Sequence, residues 1–264
     1  PVLMLTVRNR IEDILQAFEN GANDYLSKPF DRKEMLARVR TLIGMKTAME
    51  QAVDSELKFL QAQIRPHFIY NALNTIMGLC LTEPEKAYEL IGQLSNYLQG
   101  KFRFINTNNL ITLEDELELV KSYVNIELAR FGERLKVEYH IERGITFKMP
   151  PLILQPLVEN AIKHGIYPKS EGGTVSISVC REKDSIKILI SDDGAGMPQA
   201  MADSILDGQA EISGIGIRNV DKRLKKHYGC GLKIVSEVDK GTTAEILIPY
   251  YKINEGSINE SNAD

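Results

Sequence analysis

A histidine placed directly after a proline, inside a run that is otherwise helical, is the first feature of this chain that could do chemistry. The run is Gln61 to Ile76, QAQIRPHFIYNALNTI. On its upstream side Met49, Val53, Leu57, Leu60 and Ile64 recur every three or four residues and share one helix face. Downstream of the proline, Ile69, Ala72, Leu73, Ile76 and Cys80 form a second apolar face, turned roughly half a turn from the first at ~100° per residue. His67, Tyr70, Asn71 and Asn74 stand against that second face. Pro66 has no N–H to donate and its ring crowds the carbonyl of Ala62, which predicts a kink in a long helix. The pattern displays His67 on the polar side with Asn71 one turn beyond it. Alone, such a histidine is most often an ordinary surface residue.

Three later runs change its weight. In LVENAIKHG (Leu157 to Gly165), a helix brings Glu159, Asn160, Lys163 and His164 within about one turn, offering an oxygen ligand, a cation and two further polar groups. Magnesium is hard and keeps most of its waters, so one side-chain oxygen together with phosphate oxygens suffices to hold it. In SDDGAGMP (Ser191 to Pro198), an aspartate at a strand end can accept a hydrogen bond from an exocyclic amine, while Gly194 and Gly196 let the backbone approach a flat base. In SGIGIRNVDKRL (Ser213 to Leu224), Gly214 and Gly216 precede a helix N-terminus, a physical solution for holding phosphates. Each run has a plainer reading. Asp-Gly-Ala-Gly is often only a turn, Gly-x-Gly before a helix is weak on its own, and Asn160 or His164 could cap a helix or satisfy a core. It is their order and joint presence that point to a nucleotide.

The elements that must position these residues can be read from pattern. Pro1 to Val7 is an apolar run suited to a buried strand. Ile11 to Asn20 is helical with Gly21 as its cap, and Asp24 to Phe30 is a second strand. Asp31 can cap a helix carrying Met35, Leu36, Val39 and Leu42, which can run on past Gly44 into the Met49–Ile64 stripe as a helical or coiled-coil linker. Thr82 and Pro84 mark a new helix whose Ala87, Leu90, Ile91, Leu94, Tyr97 and Leu98 can fold back as a hairpin. Two such hairpins across a twofold axis make a four-helix bundle. A third helix begins at Thr112 with Asp115 in the capping-box position. After Gly132 the period changes: Leu135, Val137, Tyr139 and Ile141 alternate as in a half-buried strand. A helix from Leu152 to Gly165, strands at Thr174–Cys180 and Ser185–Ser191, a helix from Ile217 to Tyr228, and strands at Leu232–Val238 and Thr243–Pro249 complete an α+β sandwich. The tail beyond 251 has a composition that favours disorder.

Composition bounds the function class. The chain has 264 residues, 43% hydrophobic and 26% charged, with a net charge of −4. The acidic balance argues against a nucleic-acid partner. Cys80, Cys180 and Cys230 have no metal-ligand spacing, which suits reduced thiols in the cytoplasm. The sequence shows no signal peptide and no apolar run as long as a membrane span. It begins at Pro1, inside an apparent strand, so a longer parent is expected, and any membrane attachment is left to parts of that parent.

Two resemblances follow from these motifs. Residues 1–43, with Thr6 after the first strand and the run GANDYLSKPF (Gly21 to Phe30), resemble the C-terminal half of a response-regulator receiver domain, an α/β fold with a parallel sheet. In that family Thr6 and Lys28 would contact a phosphoryl group on an aspartate of an earlier strand that is absent here. Residues 56–251 resemble a sensor histidine kinase with the GHKL ATP-binding fold. LVENAIKHG looks like its N box, SDDGAGM and SGIGIRN like its two glycine boxes, and QAQIRPHFIYNALN narrows the likeness to the LytS/YehU type.

This second resemblance implies roles. His67 would be the phosphoacceptor, Asn160 would hold magnesium, and Asp192 would read the adenine amine beside Gly194 and Gly196. Lys163 and His164 would face phosphates or ribose, and Gly214, Gly216 and Asn219 would belong to the phosphate-side lid. Phe68 stands where the larger histidine-kinase class carries an acid, and Arg65 where many relatives carry asparagine. Glu159 is the candidate proton acceptor, its plainer reading being a solvated or magnesium-side carboxylate. Asn71 is the candidate to orient His67 or a water, its plainer reading a surface amide.

The expected architecture is multidomain. It comprises a partial receiver (1–43), a helical linker (44–58), dimerisation and phosphotransfer helices (59–131), a GHKL ATP-binding domain (132–251) and a tail (252–264). The expected function is ATP- and magnesium-dependent autophosphorylation of His67 in a homodimer, followed by transfer to a receiver aspartate. A neutral imidazole, available since free histidine titrates near pH ~6.5, would attack in line. The alternatives are a GHKL ATPase of chaperone or topoisomerase kind, which needs no displayed histidine, and a nucleotide-binding scaffold.

Overall fold

The computed structural model describes residues 1–6, 15–16, 18–63, 66–107, 109–207 and 215–252, with backbone alone for 48–63 and 215. The chain divides into two compact units, Pro1–Pro66 and His67–Asp264.

In the first unit, β1 (Leu3–Thr6) pairs in parallel with β2 (Asp24–Ser27), Leu3 opposite Asp24 and Thr6 opposite Ser27. Gly21 takes φ +92°, the left-handed conformation that ends the preceding helical turn. The helix α1 runs unbroken from Arg32 to Gln63. The Asp31 carboxylate accepts from the backbone N–H of Lys33 at 2.6 Å, which is the expected cap. Continuity through Gly44 shows that one glycine, costing ~1 kcal/mol against alanine, does not stop a helix of this length.

In the second unit, α2 (Pro66–Thr82) opens at the proline itself. A proline in the first turn forfeits no intrahelical bond. The kink expected from Pro66 falls on residues 64 and 65, outside the described residues. The helix α3 (Pro84–Ile105) follows after Glu83, and Ala72 and Ile76 of α2 share a buried cluster with Ala87, Leu90, Leu94 and Tyr97 of α3. A two-strand ribbon joins β3 (Ile111–Thr112) to β5 (Lys148–Met149), and α4 (Leu113–Phe131) starts between them. Its capping box is present: Thr112 Oγ1 accepts from the Asp115 N–H at 3.1 Å and Asp115 Oδ2 accepts from the Thr112 N–H at 3.1 Å.

The remaining elements form two layers. The sheet contains β4 (Leu135–Ile141), β6 (Gly173–Arg181), β7 (Ser185–Asp192), β8 (Lys233–Glu237) and β9 (Gly241–Pro249), in the order β4-β6-β7-β9-β8. β4 runs parallel to β6, and the other neighbours are antiparallel. Its buried face presents Val175, Ile177, Ile188, Ile190, Ile246 and Ile248, alternating with half-exposed residues as the period of 2 requires. Three helices complete the layer over it: α5 (Leu154–Asn160), α6 (Gln199–Asp207) and α7 (Ile215–Tyr228). Sequence pattern missed α6 and the β3–β5 ribbon, both too short to show a period. The disorder expected of the tail concerns residues that lie, from 253 onward, outside the described residues. Among the described residues no helix is long and apolar enough to cross a membrane.

Candidate functional site

The site is organised around α5, which is short and held on all sides. Its start is a sharp entry after Pro150–Pro151, with Leu152 at φ +58°. A helix N-terminus leaves backbone N–H groups without partners. Here the Glu116 carboxylate, reaching from α4 and wholly buried, takes them: Oε1 accepts from Leu152 and, at 3.3 Å, from Ile153, while Oε2 accepts from Leu154 at 2.8 Å. Burial pushes the Glu116 carboxyl above the ordinary range and these N–H groups pull it back. Arg223 of α7 donates to the carbonyl of Pro151 at 2.6 Å.

Past Asn160 the helix widens into a π-turn, Ala161–Ile166. Such turns insert a residue and re-aim side chains, and they are frequent at functional sites. The turn ends at Tyr167, whose hydroxyl donates to the buried Glu127 carboxylate of α4 and accepts from Arg130 Nη1 at 3.2 Å.

One face of this segment lines a cavity of about 410 Å3. Leu157, Asn160, Ala161, His164 and Gly165 form that wall, and Asp192, Gly196, Met197, Thr242 and apolar residues including Ile190 and Ile234 form the rest. A mostly apolar pocket of this size with few convergent polar groups suits a flat small molecule. Asp192 stands at the end of β7 with Oδ1 accepting from the Gly194 N–H at 2.9 Å. Burial raises its carboxyl to about 6, against the pull of the Gly194 and Thr242 N–H groups.

Glycines make this corner possible. A Cβ on Gly165 would lie 2.3 Å from Asp192 Oδ1, one on Gly194 would lie 2.2 Å from the Gly165 backbone, and one on Gly241 would lie 1.8 Å from the Asp192 carbonyl oxygen. Gly196, at φ +58°, packs its backbone on Glu237. The carboxylate is thus set by backbone packed against backbone, with no room for adjustment.

The expected residues divide accordingly. Asn160, His164, Asp192 and Gly196 come together on the cavity wall, and Gly194 lies behind it. Lys163 is exposed and is not among the lining residues, nor are Gly216 and Asn219 in the first turns of α7, although their neighbour Ile217 is. Gly214 lies outside the described residues. Glu159 sits on the opposite face of α5, where it accepts from Gln155 Nε2 at 2.9 Å and lies 3.9 Å from Lys101 Nζ.

His67 is exposed in the first turn of α2, outside the cavity lining, with Asn71 Nδ2 3.1 Å from its Nδ1. An amide at this distance can donate to Nδ1 or, turned over, accept from Nδ1–H, and either choice fixes which ring nitrogen keeps its lone pair. Phe68 anchors this turn, packing on the rings of Tyr97 at 4.9 Å and Tyr123 at 5.2 Å between centroids. Sequence reasoning missed Glu116, Glu127 and Lys101. The available signal was a charge at an apolar-stripe position of α3 or α4.

Three family models match stretches of this chain. The family model described as histidine kinase matches residues 55–135, and that described as histidine kinase-, DNA gyrase B-, and HSP90-like ATPase matches residues 150–252. The response regulator receiver domain model matches residues 1–40. YwpD of Bacillus subtilis (strain 168) is 40% identical over 94% of this chain and 89% of its own length. The sensor histidine kinase YpdA of Escherichia coli (strain K12) is 38% identical over 76% of this chain and 35% of its own. The sensor protein LytS of Staphylococcus epidermidis (strain ATCC 12228 / FDA PCI 1200) is 35% identical over 79% of this chain and 36% of its own. The chain thus spans about a third of the length of these two sensors.

Proposed function

This chain belongs to the LytS-type sensor histidine kinases, and from that premise we propose that it phosphorylates itself on His67 with ATP and passes the phosphoryl group to a receiver aspartate. The observation that carries the reading is the convergence of Asn160, His164 and Asp192 on one cavity whose glycine-packed corner fits a flat base. In this reading Asp192 accepts from the adenine amine, and His164 and Lys163 face ribose and phosphates. Gly214, Gly216 and Asn219 close the phosphate side, where the start of α7 suits an anion. Among the described residues no three His, Cys, Asp or Glu side chains cluster as metal ligands. Magnesium would be held through the Asn160 amide oxygen and phosphate oxygens, where it would supply neutralisation of the transferred charge. His67 stands outside the cavity lining, so a movement of the nucleotide domain brings the two together. With its amide turned so that the oxygen accepts from Nδ1–H, Asn71 would hold the tautomer whose Nε2 lone pair is free for in-line attack.

The protein would act as a homodimer. Tyr70, Met77 and Leu81 on α2, and Tyr88, Ile91 and Phe102 on α3, are exposed at spacings that form apolar stripes along both helices. Two hairpins paired over these stripes would bury them as a four-helix bundle. The match of residues 1–40 to a receiver model supports a receiver as part of this signalling system, and the remaining partner would be a response regulator in the cytoplasm.

The test is incubation of the chain with γ-labelled ATP and magnesium. Acid-labile label on the parent, missing from His67→Gln and Asn160→Asp, is the expected result. Label on His67→Gln equal to the parent, or acid-stable label, refutes the assignment. Release of inorganic phosphate with no labelled protein would favour a non-kinase ATPase.

A further inference from the structure

Lys101 is a lysine in a place where lysines are rarely found. It lies on α3 with 6% of its surface exposed, and buried lysines need partners. Its ammonium donates to Gln155 Oε1 at 3.1 Å and to Tyr97 Oη at 3.2 Å, and lies 3.9 Å from Glu159 Oε2. Gln155 and Glu159 stand one turn apart on α5 and bond to each other. At about 100° per residue both lie roughly 160° from Leu157, on the back of the helix whose front wall faces the cavity. The ammonium therefore grips the nucleotide-bearing helix from behind.

A buried ion pair is a poor device for stability alone, because well-packed apolar groups of similar volume commonly do as well. What it adds is a fixed geometry, since a displaced partner leaves a charge buried without compensation. We propose that Lys101 is a positioning residue for nucleotide binding, holding Gln155 and Glu159 so that Asn160 stands in the cavity at one depth and rotation. Glu159 belongs to this grip. α3 is the partner of the helix that carries His67, and Phe68 packs on Tyr97, one turn from Lys101. Through this contact the helical hairpin sets the affinity of the nucleotide site. The inference rests on the reading of the cavity as an ATP site.

The experiment is calorimetric titration of the whole chain with β,γ-imido-ATP and magnesium. The variants are Lys101→Met, Glu159→Gln and the double variant, alongside Val179→Ala on β6 as a core control of comparable unfolding temperature. Lys101→Met is expected to weaken binding about tenfold, within the usual range of couplings between sites. Glu159→Gln, which keeps shape and loses charge, should weaken it about threefold, and the double variant should return to within about threefold of the parent. Val179→Ala should bind as the parent does. Should Lys101→Met not fold, Glu159→Gln decides: an unchanged affinity overturns the proposal and the threefold loss supports it. Equal affinity of both single variants and the parent overturns it too, as does an equal loss in Val179→Ala. A parent chain that does not bind the analogue refutes the ATP-site reading itself, and the inference with it.

Discussion

Replacing Glu116 should free the start of α5. The alanine variant leaves the N–H groups of Leu152, Ile153 and Leu154 in a dry site without the carboxylate that now accepts from all three. An unsatisfied buried donor costs ~1–3 kcal/mol. Water entering the vacated space recovers part of that, so the net loss is about 3–4 kcal/mol. Glutamine keeps the shape and one acceptor oxygen but turns an N–H2 toward a backbone donor, which predicts a loss of about 2 kcal/mol. Glu114, exposed on the same turn of α4, is the control: its alanine variant should change stability by no more than ~0.5 kcal/mol. The described chain falls into two units, so a single melting curve would mix their transitions. Hydrogen exchange of peptides covering residues 150–166 reads the anchor directly. Glu116→Ala should lower their protection by about two to three orders of magnitude, at ~1.4 kcal/mol per tenfold. Parent-like exchange in Glu116→Ala would refute the reasoning, as would an equal loss in Glu114→Ala.

Two further outcomes follow from the Asp192 corner. Gly165→Ala would bring a Cβ to 2.3 Å from Asp192 Oδ1, and a clash against a backbone-packed carboxylate should cost ~2–3 kcal/mol and at least tenfold in nucleotide affinity, measured by unfolding and calorimetry. Asp192 itself has its carboxyl raised by burial from 3.8 to about 6, so the folded state binds this proton more tightly than the unfolded one. Its contribution to stability is fully present below about 3.8 and is lost as pH rises through about 6. The adenine recognition proposed for the carboxylate would run the other way and weaken as pH falls through about 6. Calorimetry across that range should find the dependence in the parent and not in Asp192→Asn; a flat parent profile would refute it.

The parts of this molecule legible in sequence are those fixed by local requirements. Thr112 and Asp115 announce a helix start because three residues of spacing suffice for both hydrogen bonds. The alternation of Ile186, Ile188 and Ile190 announces a one-faced strand. Gly194 and Gly196 stand out because no other residue takes those positions, and Asp192 is read from its place beside them. What stayed hidden depends on partners far along the chain. Nothing local says that β4 runs parallel to β6, or that the segment after Asn160 widens into a π-turn.

The charges that hold α5 are a different case, because their signal was present and outweighed. Leu113, Leu117, Val120 and Val124 make the buried stripe of α4, and Glu116 and Glu127 fall on the same stripe, three residues from Leu113 and from Val124. On α3 the stripe is Leu90, Leu94, Tyr97 and Phe104, and Lys101 sits between the last two. Glu116 was masked by its neighbours Glu114, Asp115 and Glu118, which make a run that reads as a solvated face. A charge on an apolar stripe has two physical outcomes: it breaks the helix packing, or it is buried against a partner that needs it. Three such charges lie on two adjoining helices, and all three partners lie on or beside one short segment, α5 and its π-turn. For the Lys101–Glu159 pair stability alone gives no reason, since apolar residues of similar volume would fill both positions about as well, whereas Glu116 satisfies backbone donors that no apolar residue could. Holding one helix at its start, back and end does give a reason under the proposed function, in which the side chains on its front meet a nucleotide at fixed depth. The stripe charges of α3 and α4 are thus part of the site although none of them lines the cavity.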